Sequence, residues 1–288
     1  GYINQYGYAL YNKFINIDDE KIKEKESLFF DILEDILGIC KQEKYSPVEP
    51  AINRAIKYAL NQTPINYDLM IKMLNKLDIK LLSDKPFVNK EGKEFESFKE
   101  RYFRLKVRAL FETKQYKACV ECANQALATP LKWHYNALQW IKYYRGCALL
   151  ELKEYDEAEK IYDKLINNDS KNAQYYILKG ECLAKSGDAK AAVKVYEQGW
   201  NSTNDTDFLE KICEIYVEQK DYDNALKYIQ KGIEQGGESK AGFMYGKIVI
   251  YEKAQEYDRA YEAAKKYVEL YPDDEAGKKE YIFLSTRI

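Results

Sequence analysis

Apolar residues recur every three to four positions along most of the chain, which is the period of an amphipathic α-helix. The segment Ser27–Leu37 has this pattern, and so does the segment containing Leu69, Met70, Met73, Leu74 and Leu77. Ser46-Pro47-Val48-Glu49 is a helix-start signal, because proline lies just inside the cap and glutamate lies three residues after serine. Thr63-Pro64 predicts the end of that helix. The pattern therefore predicts a mainly helical chain.

A small residue recurs in a similar local setting and predicts internal repeats. We number the repeats 1 to 5 by these marker residues, which are Cys119, Ala158, Ala192, Ala225 and Ala260. Twelve residues before each marker lie Val107, Gly146, Gly180, Cys213 and Ile248, respectively. The constant offset predicts two antiparallel helices and a short turn in every repeat. Small residues are expected where helices pack closely, since overpacking there costs about 1–3 kcal/mol.

The repeats resemble the tetratricopeptide repeat family. The best copies combine Gly146-x-x-Leu149 with Ala158-x-x-x-Tyr162, and Gly180-x-x-Leu183 with Ala192-x-x-x-Tyr196. Pro272 closes the last copy at the place where the family pattern has proline, whereas Ser170 and Asn204 stand there in earlier copies. The resemblance implies an all-α fold, a right-handed superhelical α-solenoid of helical hairpins, in which the first helices line a concave binding groove.

We predict three regions along the chain. Residues 1–99 form a helical N-terminal region of degenerate repeat-like hairpins, residues 100–274 hold five repeats, and residues 275–288 form a capping helix. The boundary is expected in the loop over residues 83–97. Tyr6–Tyr11 has Gly7-x-x-Leu10 in repeat register, and the N-terminal part resembles an uncharacterised bacterial family of such repeats, some of whose members are joined to nucleic-acid-binding modules.

Composition and charge narrow the class of protein. The 288 residues are 46% hydrophobic and 32% charged, with a net charge of −2, as expected of a soluble globular chain. No apolar run is long enough to span a membrane. Balanced charge provides no general attraction to nucleic acid, so a nucleic-acid partner is disfavoured. The chain begins with Gly1 rather than Met, so we expect that a leader or a longer N-terminal region was removed, or that the chain is excised from a larger protein.

No constellation of catalytic or metal-binding residues is present. The chain has no phosphate-binding loop, no nucleophile elbow and no zinc-protease motif. Cys119 and Cys122 are the only close cysteine pair, and a single histidine, His134, cannot complete a zinc site with them. We therefore read the pair as two small residues of one helix, and predict no enzyme activity, cofactor or metal. Carboxylates at Asp18–Glu20 and Asp273–Glu275 are assigned to helix starts.

Candidate partner-binding residues lie on the first helices of four repeats, at helical spacing. They are Arg101, Arg104 and Arg108 in repeat 1, Trp140, Tyr143 and Tyr144 in repeat 2, Gln174 and Glu181 in repeat 3, and Glu210 and Glu214 in repeat 4. Each group has a structural alternative. The arginines could pair with Glu96 and Glu100, the aromatic residues could form inter-repeat core, and the acidic residues could be a solvated face.

The predicted function is a non-catalytic scaffold that binds a peptide or a partner protein in a concave groove. One alternative is a nucleic-acid-associated helical repeat, and another is the adaptor portion of a larger multidomain protein of defence or signalling. Oligomerisation is possible in each case. The six cysteines are not spaced as in a disulfide scaffold, which predicts a reducing, cytoplasmic location. The excess of lysine over arginine predicts a bacterial source.

Overall fold

The computed structural model describes residues 16, 18–24, 48–88 and 90–288. The described helices are α1 (Asp19–Glu24), α2 (Val48–Leu60), α3 (Tyr67–Asn75), α4 (Phe98–Glu112), α5 (Tyr116–Ala128), α6 (Tyr135–Glu151), α7 (Tyr155–Asn168), α8 (Ala173–Ser186), α9 (Ala189–Thr203), α10 (Asp207–Glu218), α11 (Tyr222–Gln235), α12 (Lys240–Lys253), α13 (Tyr257–Leu270) and α14 (Glu275–Ser285). A 3-10 turn spans Ile79–Leu81. The all-α prediction is confirmed. The predicted helix over Ser27–Leu37, the Tyr6–Tyr11 segment and the cap residues Ser46 and Pro47 lie outside the described residues.

The chain divides into two compact units, residues 1–154 (unit 1) and 155–288 (unit 2). In unit 1, one hydrophobic cluster joins Ala55 of α2 and Leu74 of α3 to Phe103, Cys119 and Ile141. The division after Glu154 therefore differs in position from the boundary expected in the 83–97 loop, whose two sides share this core.

The predicted 83–97 loop contains a two-stranded antiparallel sheet. Strands β1 (Phe87–Val88) and β2 (Glu94–Phe95) pair Phe87 with Phe95, and Gly92 in the connection has a φ of 80°. Aromatic and β-branched residues on both sides of a glycine turn favour such a hairpin. The strands are too short to show the alternation by which sequence analysis finds strands.

A capping box fixes the start of α4. The Glu100 backbone N–H donates to Ser97 Oγ at 3.2 Å, and the Ser97 N–H donates to Glu100 Oε2 at 2.6 Å. The second oxygen of the same buried carboxylate accepts the backbone N–H of His134, directly before α6. Glu100 therefore links the starts of α4 and α6, the first helices of repeats 1 and 2.

The turn between the helices of each repeat has the same backbone conformation. One residue per turn has a positive φ, and these residues are Lys114, Lys153, Gly187, Lys220 and Gln255. The following N–H closes the turn on the preceding helix, as in Asp188 N–H to Leu183 O and Asp221 N–H to Tyr216 O, both at 2.8 Å. This is the left-handed helix ending that usually selects glycine.

Unit 2 is a series of successive cores along the chain, as expected of stacked hairpins. One cluster joins Ala192 to Phe208, the next joins Leu209 and Ala225 to Phe243, and the last joins Ile248 and Ala260 to Leu284 of α14. The predicted capping helix is therefore present as α14.

Close packing explains the small residues of repeat 3. A Cβ atom on Gly180 would lie 2.1 Å from Cε1 of Tyr196, one turn after the marker Ala192. A Cβ atom on Gly199 would lie 2.5 Å from Cε1 of Phe208, on the first helix of the next repeat. Gly180 thus holds the two helices of repeat 3 together, and Gly199 holds repeat 3 against repeat 4.

Candidate functional site

Arg101 and Arg104 form ion pairs within unit 1. Arg101 Nε donates to Glu96 Oε1 at 3.2 Å, while Arg104 Nε donates to Glu96 Oε2 at 2.8 Å and its Nη2 to Oε1 at 2.5 Å. Burial would raise the pKa of Glu96, but the hydrogen bonds and charges of Arg104 and Arg101 outweigh it and hold this pKa below its ordinary value. The alternative of pairing with Glu96 therefore applies to two of the three predicted arginines, while Glu100 serves as a cap.

Arg108 lies among aromatic rings. Its guanidinium is 5.6 Å from the ring centroid of Tyr67 and 5.9 Å from that of Trp140. Its Nε atom lies 3.7 Å from Glu112 Oε1, and within the part of the chain that the structure describes this atom has no hydrogen-bond acceptor. The cation–π contacts orient the side chain and leave its charge only loosely paired.

The predicted aromatic residues differ in burial. Tyr144 is 7% exposed, packs against Phe111 at 5.4 Å between ring centroids, and belongs to the core. Trp140 is 44% exposed and stacks on Tyr144 at 5.4 Å, with Tyr143 edge-on to both rings. We call Arg108, Trp140 and Tyr143 the aromatic–arginine patch. Tyr144 packs against Trp140 of this patch. For Tyr144 the structural alternative, that it is a core residue, therefore applies.

In unit 2 the predicted acidic residues lie on adjacent first helices. Glu181 of α8 is partly buried, whereas Gln174 of α8 and Glu210 and Glu214 of α10 are exposed. Lys211 Nζ donates to Glu214 Oε2 at 3.2 Å. Burial raises the pKa of Glu210, and the carboxylates of Asp207 and Glu214 raise it further. We call Glu181, Asp207, Glu210 and Glu214 the acidic face.

Two helices contribute to the acidic face around one buried tyrosine. The pKa of Tyr196 on α9 is raised by burial, and then by the carboxylates of Glu181 and Glu214. Glu181 and Glu214 therefore lie near the same phenol although they belong to different repeats. A ligand that contacts both would span the packing interface of repeats 3 and 4.

Further carboxylates meet at the end of unit 2. Burial raises the pKa of Glu252 on α12, and the neighbouring carboxylate of Glu280 on α14 raises it further. The sequence analysis did not find Glu280 as a candidate. Reading α14 as the first helix of a further hairpin would have indicated Glu280, because it lies on the same kind of helix as Glu210 and Glu214.

The described residues contain no cluster of three or more His, Cys, Asp or Glu side chains able to hold a metal ion. Among those same residues, no helix is both long and apolar enough to cross a membrane.

The helical hairpins and their recurring small residues are matched by a known family. The sequence model described as tetratricopeptide repeat covers residues 99–286. This chain belongs to the tetratricopeptide repeat family. The predicted resemblance over residues 100–274 is thereby confirmed, and the family match extends through α14.

Relatives of this tetratricopeptide repeat chain are distant. A TPR repeat-containing protein of Methanocaldococcus jannaschii is 25% identical over 163 residues, which make up 57% of this chain and 28% of the relative. The chain thus spans little more than a quarter of that protein. A tetratricopeptide repeat protein of Parabacteroides merdae has a TM-score of 0.50 at 15% identity, covering 96% of this chain and 99% of that one. MamA of Desulfovibrio magneticus gives 0.51 at 13% identity, over 65% and 93%.

The cysteine pair is part of the repeat packing. Cys119 and Cys122 both lie buried on α5. Cys119 Sγ donates to the Val107 carbonyl at 3.4 Å, and this contact joins the marker of repeat 1 to the residue twelve positions before it on α4. Burial raises the pKa of Cys119 to about 12 and that of Cys122 to about 11. Both thiols are therefore protonated at neutral pH and are poor nucleophiles and metal ligands. The prediction of two small residues on one helix is confirmed.

Proposed function

We propose that this chain is a protein-interaction scaffold whose first helices bind a segment of a partner protein, and that the acidic face selects a segment rich in Lys or Arg. The observation that carries the proposal is the position of Asp207, Glu210 and Glu214, three exposed carboxylates on the same helix, α10. Like charges at this spacing destabilise a helix by a few tenths of a kcal/mol, so a purely structural face gains nothing from them.

A cationic segment would relieve this repulsion. Its ammonium or guanidinium groups would pair with Glu210 and Glu214, and Glu181 would contact the same segment from the neighbouring repeat. Gln174, exposed at the start of α8, would donate or accept hydrogen bonds with the backbone of the segment. Net affinity would come from charge complementarity and would weaken as salt concentration rises.

The aromatic–arginine patch of unit 1 would serve as a separate anchor. Exposed tryptophan and loosely paired arginine are the residue types that dominate binding energy at protein interfaces. Trp140 offers an exposed ring, and Arg108 a charge that two rings hold in place.

Titration with labelled peptides tests the acidic face. We expect a lysine-rich peptide to bind and a glutamate-rich peptide of equal length not to bind, by fluorescence anisotropy at low salt. The double variant Glu210→Gln/Glu214→Gln should weaken binding about tenfold or more, because two charge-assisted contacts are lost. The matched control Glu238→Gln/Glu269→Gln makes the same charge change at exposed positions outside the acidic face. Equal affinity in both double variants would refute the assignment.

Three predictions remain open beside this proposal. We infer a non-catalytic chain, a reducing cytoplasmic location and a bacterial source. The buried thiols of Cys119, Cys122 and Cys213 support the second of these.

A further inference from the structure

Unit 2 has a groove that the proposed function does not use. It encloses about 460 Å³ and is lined by residues of α11, α12 and α13. Ile233, Met244, Tyr251 and Ala263 supply its apolar surface, and Gln230 and Lys247 lie beside them. None of these side chains belongs to the acidic face.

Lys247 lacks a partner that the equivalent lysine in repeat 3 has. Lys179 directly precedes Gly180, and Lys247 directly precedes Ile248, so both lysines hold the same position of the repeat. Lys179 Nζ lies 2.6 Å from Asp163 Oδ1 and 3.8 Å from Glu159 Oε1, on the second helix of the preceding repeat.

Lys247 belongs to repeat 5, and in the repeat before it, repeat 4, neutral residues hold the two positions that are acidic in repeat 2. Asp163 lies five residues after its marker, where repeat 4 has Gln230, and Glu159 lies one residue after its marker, where repeat 4 has Leu226. Lys247 Nζ donates only to Gln230 Oε1, at 3.3 Å, and forms no ion pair in the described residues. Within the described part of the chain, the ammonium of Lys247 thus lies without a carboxylate partner next to an apolar surface, whereas the ammonium of Lys179 faces two carboxylates of the preceding repeat.

We propose that this groove is a docking site for an acidic, apolar segment of a partner protein. One Asp or Glu carboxylate of that segment accepts a hydrogen bond from Lys247 Nζ, and an adjoining apolar side chain packs on Met244 and Tyr251. From α13 the groove is lined by two carboxylates and two cations, which are Asp258, Glu262, Arg259 and Lys266. These charges balance, so the carboxylate of the segment lies on the α11 side, where Lys247 is beside the neutral Gln230. Charge complementarity to a partly buried lysine selects this occupant over a cationic one.

Methionine methyl NMR on the whole chain tests the proposal. The chain has three methionines, of which Met244 lines the groove, while Met70 and Met73 are buried in the core of unit 1. The probe is a short acetylated peptide with one glutamate between leucines, and its control is the same peptide with glutamine. We expect the glutamate peptide to shift the Met244 signal while Met70 and Met73 stay unchanged, and to bind about tenfold more tightly than the glutamine peptide.

Two variants isolate the role of Lys247. Lys247→Gln should remove the preference for the glutamate peptide, while Lys265→Gln, an exposed charge change on α13 outside the groove, should leave it intact. Gln230→Glu supplies within the chain the carboxylate that Asp163 supplies to Lys179, and should weaken peptide binding about tenfold.

Three results would overturn the proposal. The first is a Met244 signal that does not move at saturating peptide in the folded wild-type chain. The second is equal affinity for the two peptides. The third is a Met244 shift that depends on protein concentration without peptide, because a second copy of the chain would then occupy the groove.

Discussion

Glu96 pairs with two of the three clustered arginines of repeat 1. Its carboxylate accepts hydrogen bonds from both Arg101 and Arg104 and is only 14% exposed. Glu96→Gln would leave two guanidinium groups facing a neutral amide, and should lower the free energy of unfolding by about 1–3 kcal/mol at neutral pH. Urea unfolding measures this loss. Glu94→Gln, an exposed change in the same hairpin, should cost little.

The pH dependence of stability follows from the lowered pKa of Glu96. A carboxyl group whose pKa is lower in the folded chain stabilises it above the ordinary carboxyl pKa, and this stabilisation is lost as pH falls through the folded pKa. The Glu96→Gln variant should therefore lose less stability than the wild type between neutral and acid pH. Parallel pH profiles for the two proteins would contradict the assigned role.

The spacing of Arg101, Arg104 and Arg108 predicts a shared helix face, but not which charges are available. Helical periodicity predicts which residues of α4 lie on the same face of the helix. Glu96 lies before α4, so its position depends instead on the capping box and the hairpin β1–β2. The same holds for Trp140 and Tyr144, four residues apart, because one is exposed and the other is core only through packing on Phe111.

At the scale of the helices, a glycine substitution should stabilise the turns in which a residue other than glycine has a positive φ. Lys220 has a φ of 59°, a conformation that costs most residues about 1–2 kcal/mol, while repeat 3 has Gly187 at the same position. Lys220→Gly should raise the free energy of unfolding by about 0.5–1 kcal/mol, after the entropy lost by glycine is deducted. Chemical denaturation measures the change.

Lys227→Gly is the matched control for this turn. It makes the same substitution at an exposed position inside α11, where glycine should cost about 1 kcal/mol relative to a good helix former. Destabilisation by both substitutions would show that the turn of repeat 4 does not favour glycine.

Sequence predicts the helical hairpins because the marker residues fill a packing position that tolerates only small side chains. It identifies the turn at Gly187 because glycine is there, yet the turns at Lys114, Lys153, Lys220 and Gln255 adopt the same conformation without it. Hydrogen bonds that end each helix impose this geometry, and they leave no mark on residue type. The capping box did leave a mark, since Ser97 and Glu100 have the required spacing.

At the scale of the whole molecule, repeats that share a fold differ in the charge of their surfaces. Each core of unit 2 contains the marker residue of its repeat, while charge varies from one repeat to the next. Family membership therefore fixes the fold, and the partner depends on positions that the family pattern leaves free. Lys247 and Gln230 illustrate this, because only a comparison between repeats reveals the missing carboxylate.

Charge over the whole chain disfavours the nucleic-acid alternative. A net charge of −2 and an acidic face on α8 and α10 oppose a phosphate backbone, since phosphate binding requires several unneutralised Lys or Arg side chains along one surface. Two of the three clustered arginines are already paired with Glu96. We expect no retention of single-stranded RNA in a filter-binding assay at about 50 mM salt, where phosphate contacts are strong. Charge reversal by Glu210→Lys/Glu214→Lys serves as the sensitivity control and should increase retention. Tight binding by the wild-type chain, with affinity that falls steeply as salt is raised, would instead establish a nucleic-acid partner.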